Sequence, residues 1–212
     1  MTQETQGFTQ YNKLAQSIVF QQGKHRTEVV SKDASLTIIG SGRSAYVFRL
    51  PSSKLALKVF YPPFEKIARK EAEIYQKLKG VSGFPNLICS GENFIVIDYL
   101  EGDTLFECLV KGVRISSDQI AQIDQTLLYA RKRGLNPSDI HLHNIIVLKN
   151  EKAKIIDVAR FQQMKQCSQW DDMKYVFYKF YIHRFFPKKI PRALLNLIAI
   201  LYKRKLLTKL IR

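Results

Sequence analysis

Cysteine is scarce in this chain, and so is acid. The 212 residues include only 3 cysteines, Cys89, Cys108 and Cys167. An odd number without paired spacing argues against a disulfide framework or a zinc cluster and suits a reducing compartment. No apolar run approaches the ~20 residues that a membrane span requires; the longest, Ala193 to Tyr202, is interrupted by Asn196. The first residues, MTQETQGFTQYNKLAQ, lack the charged start and apolar run of a secretory leader, so the expected location is the cytoplasm. Internal repeats and low-complexity linkers are also missing. What remains is an ordinary globular composition, 46% hydrophobic and 25% charged, which excludes disordered and collagen-like classes. The length fits one domain or two closely packed lobes.

The shortage of acid, 18 Asp and Glu against 34 Lys and Arg, leaves a net charge of +16. From Gln162 to Arg212 there are twelve basic and two acidic residues, so +10 of the excess lies in the last quarter of the chain. A polyanion is the partner such a segment suits, either a nucleic acid or an anionic membrane surface to which the protein attaches peripherally. The plainer alternative is a solvated basic face on a last helix running from Ala193 to Arg212.

Read in order, residues 1 to about 30 are polar and weakly periodic. SLTIIGSGRSAYVFRL then reads as strand, Gly-rich loop, strand. In LALKVFY the alternation places Ala56, Lys58 and Phe60 on one face, so a lysine points inward. Phe64 to Lys79 has helical spacing and stops at Gly80. PNLICSGENFIVIDYL predicts a hairpin turning at Gly91 to Asn93, and a short helix follows around Thr104 to Val110. Ser116 or Ser117 caps a long helix whose apolar positions are Ile120, Ile123, Leu127, Leu128 and Ala130. The aromatic run Tyr175 to Phe186 reads as a core helix, with a nucleic-acid stacking platform as the alternative. The thiols read as buried small hydrophobes.

The segment SDIHLHNIIVLKNEKAKIIDVARF carries the most chemistry. Ile145 to Leu148 and Ala153 to Ile156 flank the polar turn Lys149 to Lys152, which predicts a hairpin. A hairpin returns the chain to its start, so Asn144 and Asp157 arrive at the same end of the ladder. Asp139 lies on the loop leading in. An amide and two carboxylates converge, as binding Mg²⁺ and orienting a hydroxyl require. His141 and His143 form an HxH pair without a third ligand at suitable spacing.

Together with the first half of the chain, these residues resemble the protein-kinase superfamily in order from Ile38 to Phe161. Gly40, Gly42 and Val47 match its Gly-rich loop, with Ala45 in place of the third glycine. Ala56-Leu57-Lys58 is similar to its strand lysine, Glu71 to the lysine's helix partner, with Glu73 as the alternative, and Ile97-Asp98-Tyr99-Leu100 to the adenine hinge. The resemblance implies ATP at Gly40, Gly42, Val47, Ala56, Lys58, Asp98 and Leu100. It also implies Asp139 as catalytic base and Asn144 and Asp157 as Mg²⁺ ligands. Pro137-Ser138 stand where the family has His-Arg, and Val158-Ala159 where it has Phe-Gly. His141, two residues after Asp139, occupies a position where aminoglycoside-phosphotransferase-like kinases carry His. No Ala-Pro-Glu follows.

With these departures the chain resembles the small, atypical bacterial branch of Rio-like kinases, lipopolysaccharide-core kinases and the short Ser/Thr kinases of Gram-positive bacteria. The implied fold is α+β and bilobal, a small β-rich N-lobe over about 1–100 and a minimal, mainly helical C-lobe over about 101–212. The implied activity is a minimal serine/threonine protein kinase. The alternatives are a small-molecule or glycan kinase and a nucleotide-binding pseudokinase scaffold. Retention of Lys58, Asp139, Asn144 and Asp157 speaks against the scaffold. One of Asp171 and Asp172 either ties down the catalytic loop or complements a helix dipole.

Overall fold

The computed structural model describes residues 3–206. The chain divides into two compact units, Met1–Gly80 with Pro85–Leu100, and Val81–Phe84 with Glu101–Arg212.

The first unit contains α1 (Gln3–Gln16), a hairpin of β1 (Val19–Gln22) and β2 (Thr27–Ser31), then β3 (Thr37–Ser41), β4 (Ala45–Arg49), β5 (Leu55–Phe60), α2 (Lys66–Lys77), β6 (Leu87–Ser90) and β7 (Phe94–Asp98). Five strands form one antiparallel sheet in the order β3-β4-β5-β7-β6. Period-two alternation sorts its side chains onto two faces. Phe48, Leu57, Val59, Phe94 and Val96 build a core that also takes in Ala15 and Ile18 from the N-terminal segment. The polar opening stretch therefore folds as a helix and hairpin, held by a few apolar residues too sparse to give a clear period. α2 buries Ala68, Glu71, Ala72, Ile74 and Tyr75 and ends before Gly80, whose φ of 83° only glycine adopts readily.

The second unit opens with β8 (Gly102–Thr104) and α3 (Leu105–Lys111), capped by Thr104, which accepts from the Glu107 amide at 3.1 Å. Glu101-Gly102-Asp103, which leads into that helix, is thus in part a strand. Gly102 is needed there because a β-carbon would lie 2.1 Å from the Val147 carbonyl oxygen. α4 (Ser117–Lys132) begins with a capping box between Ser116 and Gln119. It buries Ile120, Ile123, Leu127 and Ala130, while Leu128, expected on the same face, is exposed. β9 (Ile145–Leu148) and β10 (Ala153–Ile155) form the expected hairpin, joined by β8 in the order β10-β9-β8. α4 holds this hairpin through Gln122, whose side chain accepts from the Ala153 amide at 3.0 Å.

α5 (Gln169–Val176) runs into a π-helical turn, Phe177–Tyr181, and α6 (Arg192–Lys203) follows. Three readings are corrected here. The aromatic run is not a core helix: Phe177 and Tyr181 are buried, but Tyr175, Tyr178, Phe180 and Phe185 are exposed. The last helix begins at Arg192 and its described part stops at Lys203; residues 207–212, including Lys209, lie outside the described residues. Of the thiols only Cys108 is buried; Cys89 and Cys167 are partly exposed. Among the described residues no helix is long and apolar enough to cross a membrane.

Candidate active site

In the first unit the sheet register places three of the candidate nucleotide residues, Gly40, Val47 and Lys58, in one row. Gly40 pairs with Val47, Val47 with Lys58, and Lys58 with Ile95. Directly paired residues share a face, and Ala56 joins them two positions along β5. Neither Gly40 nor Gly42 has a positive φ, and a β-carbon at either would meet its nearest neighbour at 3.6 Å, an ordinary contact. The fold therefore has no steric need for these glycines. Glycine at both positions leaves the loop backbone uncovered, as close approach of a ligand would require. The loop is tied at its tip by the Gly42 amide donating to the Ala45 carbonyl at 2.8 Å and by the Tyr61 hydroxyl donating to the Gly42 carbonyl at 3.1 Å.

Lys58 extends from this row to α2. Its Nζ donates to Glu71 Oε1 at 2.9 Å and Oε2 at 2.7 Å. Lys58 is 8% exposed and Glu71 is 0% exposed. Glu73 instead pairs on the surface with Arg69 at 3.4 Å, which settles the choice between the two glutamates as partner. At the hinge, the Asp98 carboxylate accepts from the Asn86 amide at 2.9 Å and from its side chain at 2.8 Å, and the Tyr99 amide donates to the Lys54 carbonyl at 2.8 Å. The Asp98 side chain is thus engaged inside the unit.

In the second unit the hairpin closes as the sequence implies. Ile155 pairs with Ile145, and the Ile156 amide donates to the Asn144 carbonyl at 2.9 Å, so Asp157 leaves the ladder beside Asn144. The buried Asn144 side chain donates from Nδ2 to the Asp139 carbonyl at 3.1 Å. That bond engages the amide nitrogen, so Oδ1 is the atom of this side chain that a cation could take. Asp139 and Asp157 both have left-handed backbones, with φ of 63° and 58°. Such conformations cost a non-glycine residue roughly 1–3 kcal/mol and gather at functional sites. One amide oxygen and one carboxylate are hard oxygen donors of the kind Mg²⁺ takes, an ion that fills its remaining positions with water and phosphate oxygens.

The surroundings of Asp139 include a residue that sequence reasoning missed. Arg160 Nη1 lies 3.3 Å from Asp139 Oδ2, and His141 Nε2 lies 3.9 Å from Oδ1. The only signal for Arg160 was its place three residues after Asp157, where a left-handed turn folds the chain back. Burial pushes the His141 imidazole below its usual pKa of 6.5, against the opposing pull of Asp139 and Asp157. Its Nδ1 is buried and has no hydrogen-bond partner among the described residues. His143 stacks on Phe106 at 4.1 Å, a packing role. Ser138, where the resemblance would put arginine, is fully buried and donates to the Asn136 carbonyl at 3.0 Å. Asn136 in turn donates its side-chain nitrogen to the Gln163 and Lys165 carbonyls at 2.8 and 3.1 Å. Asp172 accepts from Ser168 at 3.1 Å and from the Tyr202 hydroxyl at 2.7 Å, and Asp171 pairs with Lys174 at 3.3 Å. The two acids thus secure α5 and α6.

Comparison with known proteins supplies the family. The chain is 46% identical over 198 residues to a Bacillus subtilis (strain 168) protein named "Putative serine/threonine-protein kinase YrzF", covering 92% of each chain. A solved structure of WbdD with the kinase inhibitor LY294002 aligns with a TM-score of 0.49 at 22% identity, over 68% of this chain and 37% of that one. No protein-family model matches the chain.

Proposed function

The chain belongs to the protein-kinase-like family of YrzF, a kinase-type phosphotransferase group, and on that premise we propose that it transfers the γ-phosphoryl group of ATP to a serine or threonine hydroxyl of a protein. The observation that carries this reading is the buried Lys58–Glu71 pair on the same sheet face as Gly40 and Val47. A surface lysine has no need of a fully buried carboxylate. A lysine that must hold phosphate oxygens in a fixed position does.

Each group then has a role. Gly40 and Gly42 let the loop backbone close on the phosphates, Lys58 holds the α- and β-phosphates, Val47 and Ala56 cover the adenine, and the Leu100 backbone receives its edge. Asp139 takes the proton of the acceptor hydroxyl as that oxygen bonds to the γ-phosphorus. The bond from phosphorus to the oxygen of ADP breaks, and ADP leaves with the electron pair. Asn144 and Asp157 would hold Mg²⁺, which would supply positive charge against that developing on the phosphates. The free thiols fit a cytoplasmic location.

A sugar or other small-molecule hydroxyl is the second reading, favoured by His141 at 3.9 Å from Asp139. The test is transfer from radiolabelled γ-phosphate ATP with the protein alone, with generic protein acceptors, and with a metabolite pool. Label on protein supports the first reading, and label confined to metabolites supports the second. No Mg²⁺-dependent transfer to either, or to water, refutes both.

A further inference from the structure

Among the described residues, α6 is anchored on one side only. Arg192 pairs with Glu107 at 2.8 Å, Leu195 is 6% exposed, and the Tyr202 hydroxyl donates to Asp172 at 2.7 Å. These residues, at spacings of three and seven, lie along one face of the helix. The opposite face would ordinarily be polar. Here it is Leu194, Leu197, Ile198 and Leu201, the i, i+3, i+4, i+7 stripe of an apolar helix face, and Leu194, Leu197 and Ile198 are 47%, 50% and 42% exposed. Ile200, bordering the stripe, is 49% exposed. The expected solvated basic face is thus a bare aliphatic one, with its cations at the helix end, Lys203, Arg204 and Lys205.

Charge decides what covers this face. From Met173 to Arg212 there are eleven Lys and Arg and no Asp or Glu. A second copy packed on the same patch would set cation against cation. Nucleic acid would satisfy the cations and leave the leucines in water. An anionic lipid surface satisfies both, taking aliphatic side chains into its acyl boundary and lysines and arginines at its headgroups.

We propose that α6 is a membrane-surface helix, which lays Leu194, Leu197, Ile198 and Leu201 into the interface of an anionic bilayer while Lys203, Arg204 and Lys205 engage lipid phosphates. This brings the kinase to acceptors displayed at a membrane without any spanning segment. The inference stands on the helix alone and is independent of the acceptor.

The test is sedimentation of the full chain with vesicles of phosphatidylcholine alone or mixed with phosphatidylglycerol, at low and high salt. The wild type is expected to bind only the mixed vesicles and to dissociate as salt rises. Leu194→Ser with Leu197→Ser, both exposed, should weaken binding roughly tenfold, and Lys203→Gln with Arg204→Gln and Lys205→Gln should weaken it comparably. Leu197→Trp keeps the face apolar and reports insertion directly, by a blue shift of its emission on mixed vesicles. Failure of the wild type to sediment with mixed vesicles overturns the proposal, and so does unaltered binding of the double serine variant. An absent blue shift in Leu197→Trp overturns it as well. A wild type that dimerises through these leucines, or shifts DNA or RNA while ignoring vesicles, assigns the face to that partner instead.

Discussion

Lys58 and Glu71 form a two-pronged ion pair, 2.7 and 2.9 Å long, in which the carboxylate has no exposed surface. Removing both charges from water is costly, and the pair offsets that cost only while it is intact. Lys58→Met or Glu71→Leu alone should therefore destabilise the fold by about 3–5 kcal/mol, by stranding the other charge. The double variant, an apolar pair, should recover most of that stability in urea unfolding while phosphoryl transfer stays lost in all three. Recovery of transfer along with stability would show that the pair is only structural.

Asp139→Asn is nearly isosteric and keeps an acceptor for the nearby Arg160, so the fold and nucleotide affinity should persist. Turnover should fall by roughly 10²–10⁴-fold, the range for loss of a positioned base. Stopped-time transfer assays alongside fluorescent-nucleotide titration separate these effects. Full turnover would remove Asp139 from the chemistry.

Asp157→Asn should also fold, because asparagine tolerates the left-handed backbone that Asp157 adopts at φ 58°. The charge lost is the one proposed for Mg²⁺. Nucleotide affinity should become insensitive to Mg²⁺, whereas the wild type binds more tightly with the metal than without it. Equal Mg²⁺ dependence in both would assign the metal elsewhere.

Much of the candidate site's local structure was legible because its motifs are local: a strand row and a helix in the first unit, and in the second a hairpin whose turn returns Asp157 to Asn144. The parts that were not legible depend on contacts distant in sequence. Arg160 reaches Asp139 across 21 positions, a meeting that no periodicity announces. The N-terminal helix rests on a few residues such as Ala15 and Ile18 that bury against the sheet, too few to read as a pattern. The last helix reads in the sequence as a solvated basic face, and its apolar stripe went unread. That it faces outward depends on Leu195 and Tyr202 being the residues that found partners.

His141 gives stability a pH dependence. Burial lowers its folded pKa below the usual 6.5, so below pH 6.5 the unfolded chain binds more protons than the folded one. Its contribution is fully present above that pH and is lost as pH falls from 6.5 through the folded value. Melting temperature should decline over that acid range in the wild type and decline less in His141→Asn. Parallel profiles would show that other groups govern the acid limb.

The segment after Asp157 is pinned at its start, as suits a fixed element rather than a switch. Val158 and Phe161 are fully buried, Phe161 packs edge-on against Phe84 at 5.9 Å, and the Asn136 amide donates to the Phe161 carbonyl at 2.7 Å. In switched kinases an arginine before the catalytic Asp pairs with a phosphorylated loop residue and orders the loop. Ser138, fully buried in that position, has no charge to offer. Between Val158 and Gln169 the only hydroxyl is Ser168, and it donates to Asp172 Oδ2 at 3.1 Å. A phosphate there would face that carboxylate and break the contact. Ser168→Ala should therefore cost about 1 kcal/mol of stability, the worth of a single hydrogen bond, and leave the initial rate unchanged. Phosphatase treatment of the wild type should leave the rate unchanged as well. A large loss of rate in Ser168→Ala, matched by the dephosphorylated wild type, would show that this segment is a switch after all.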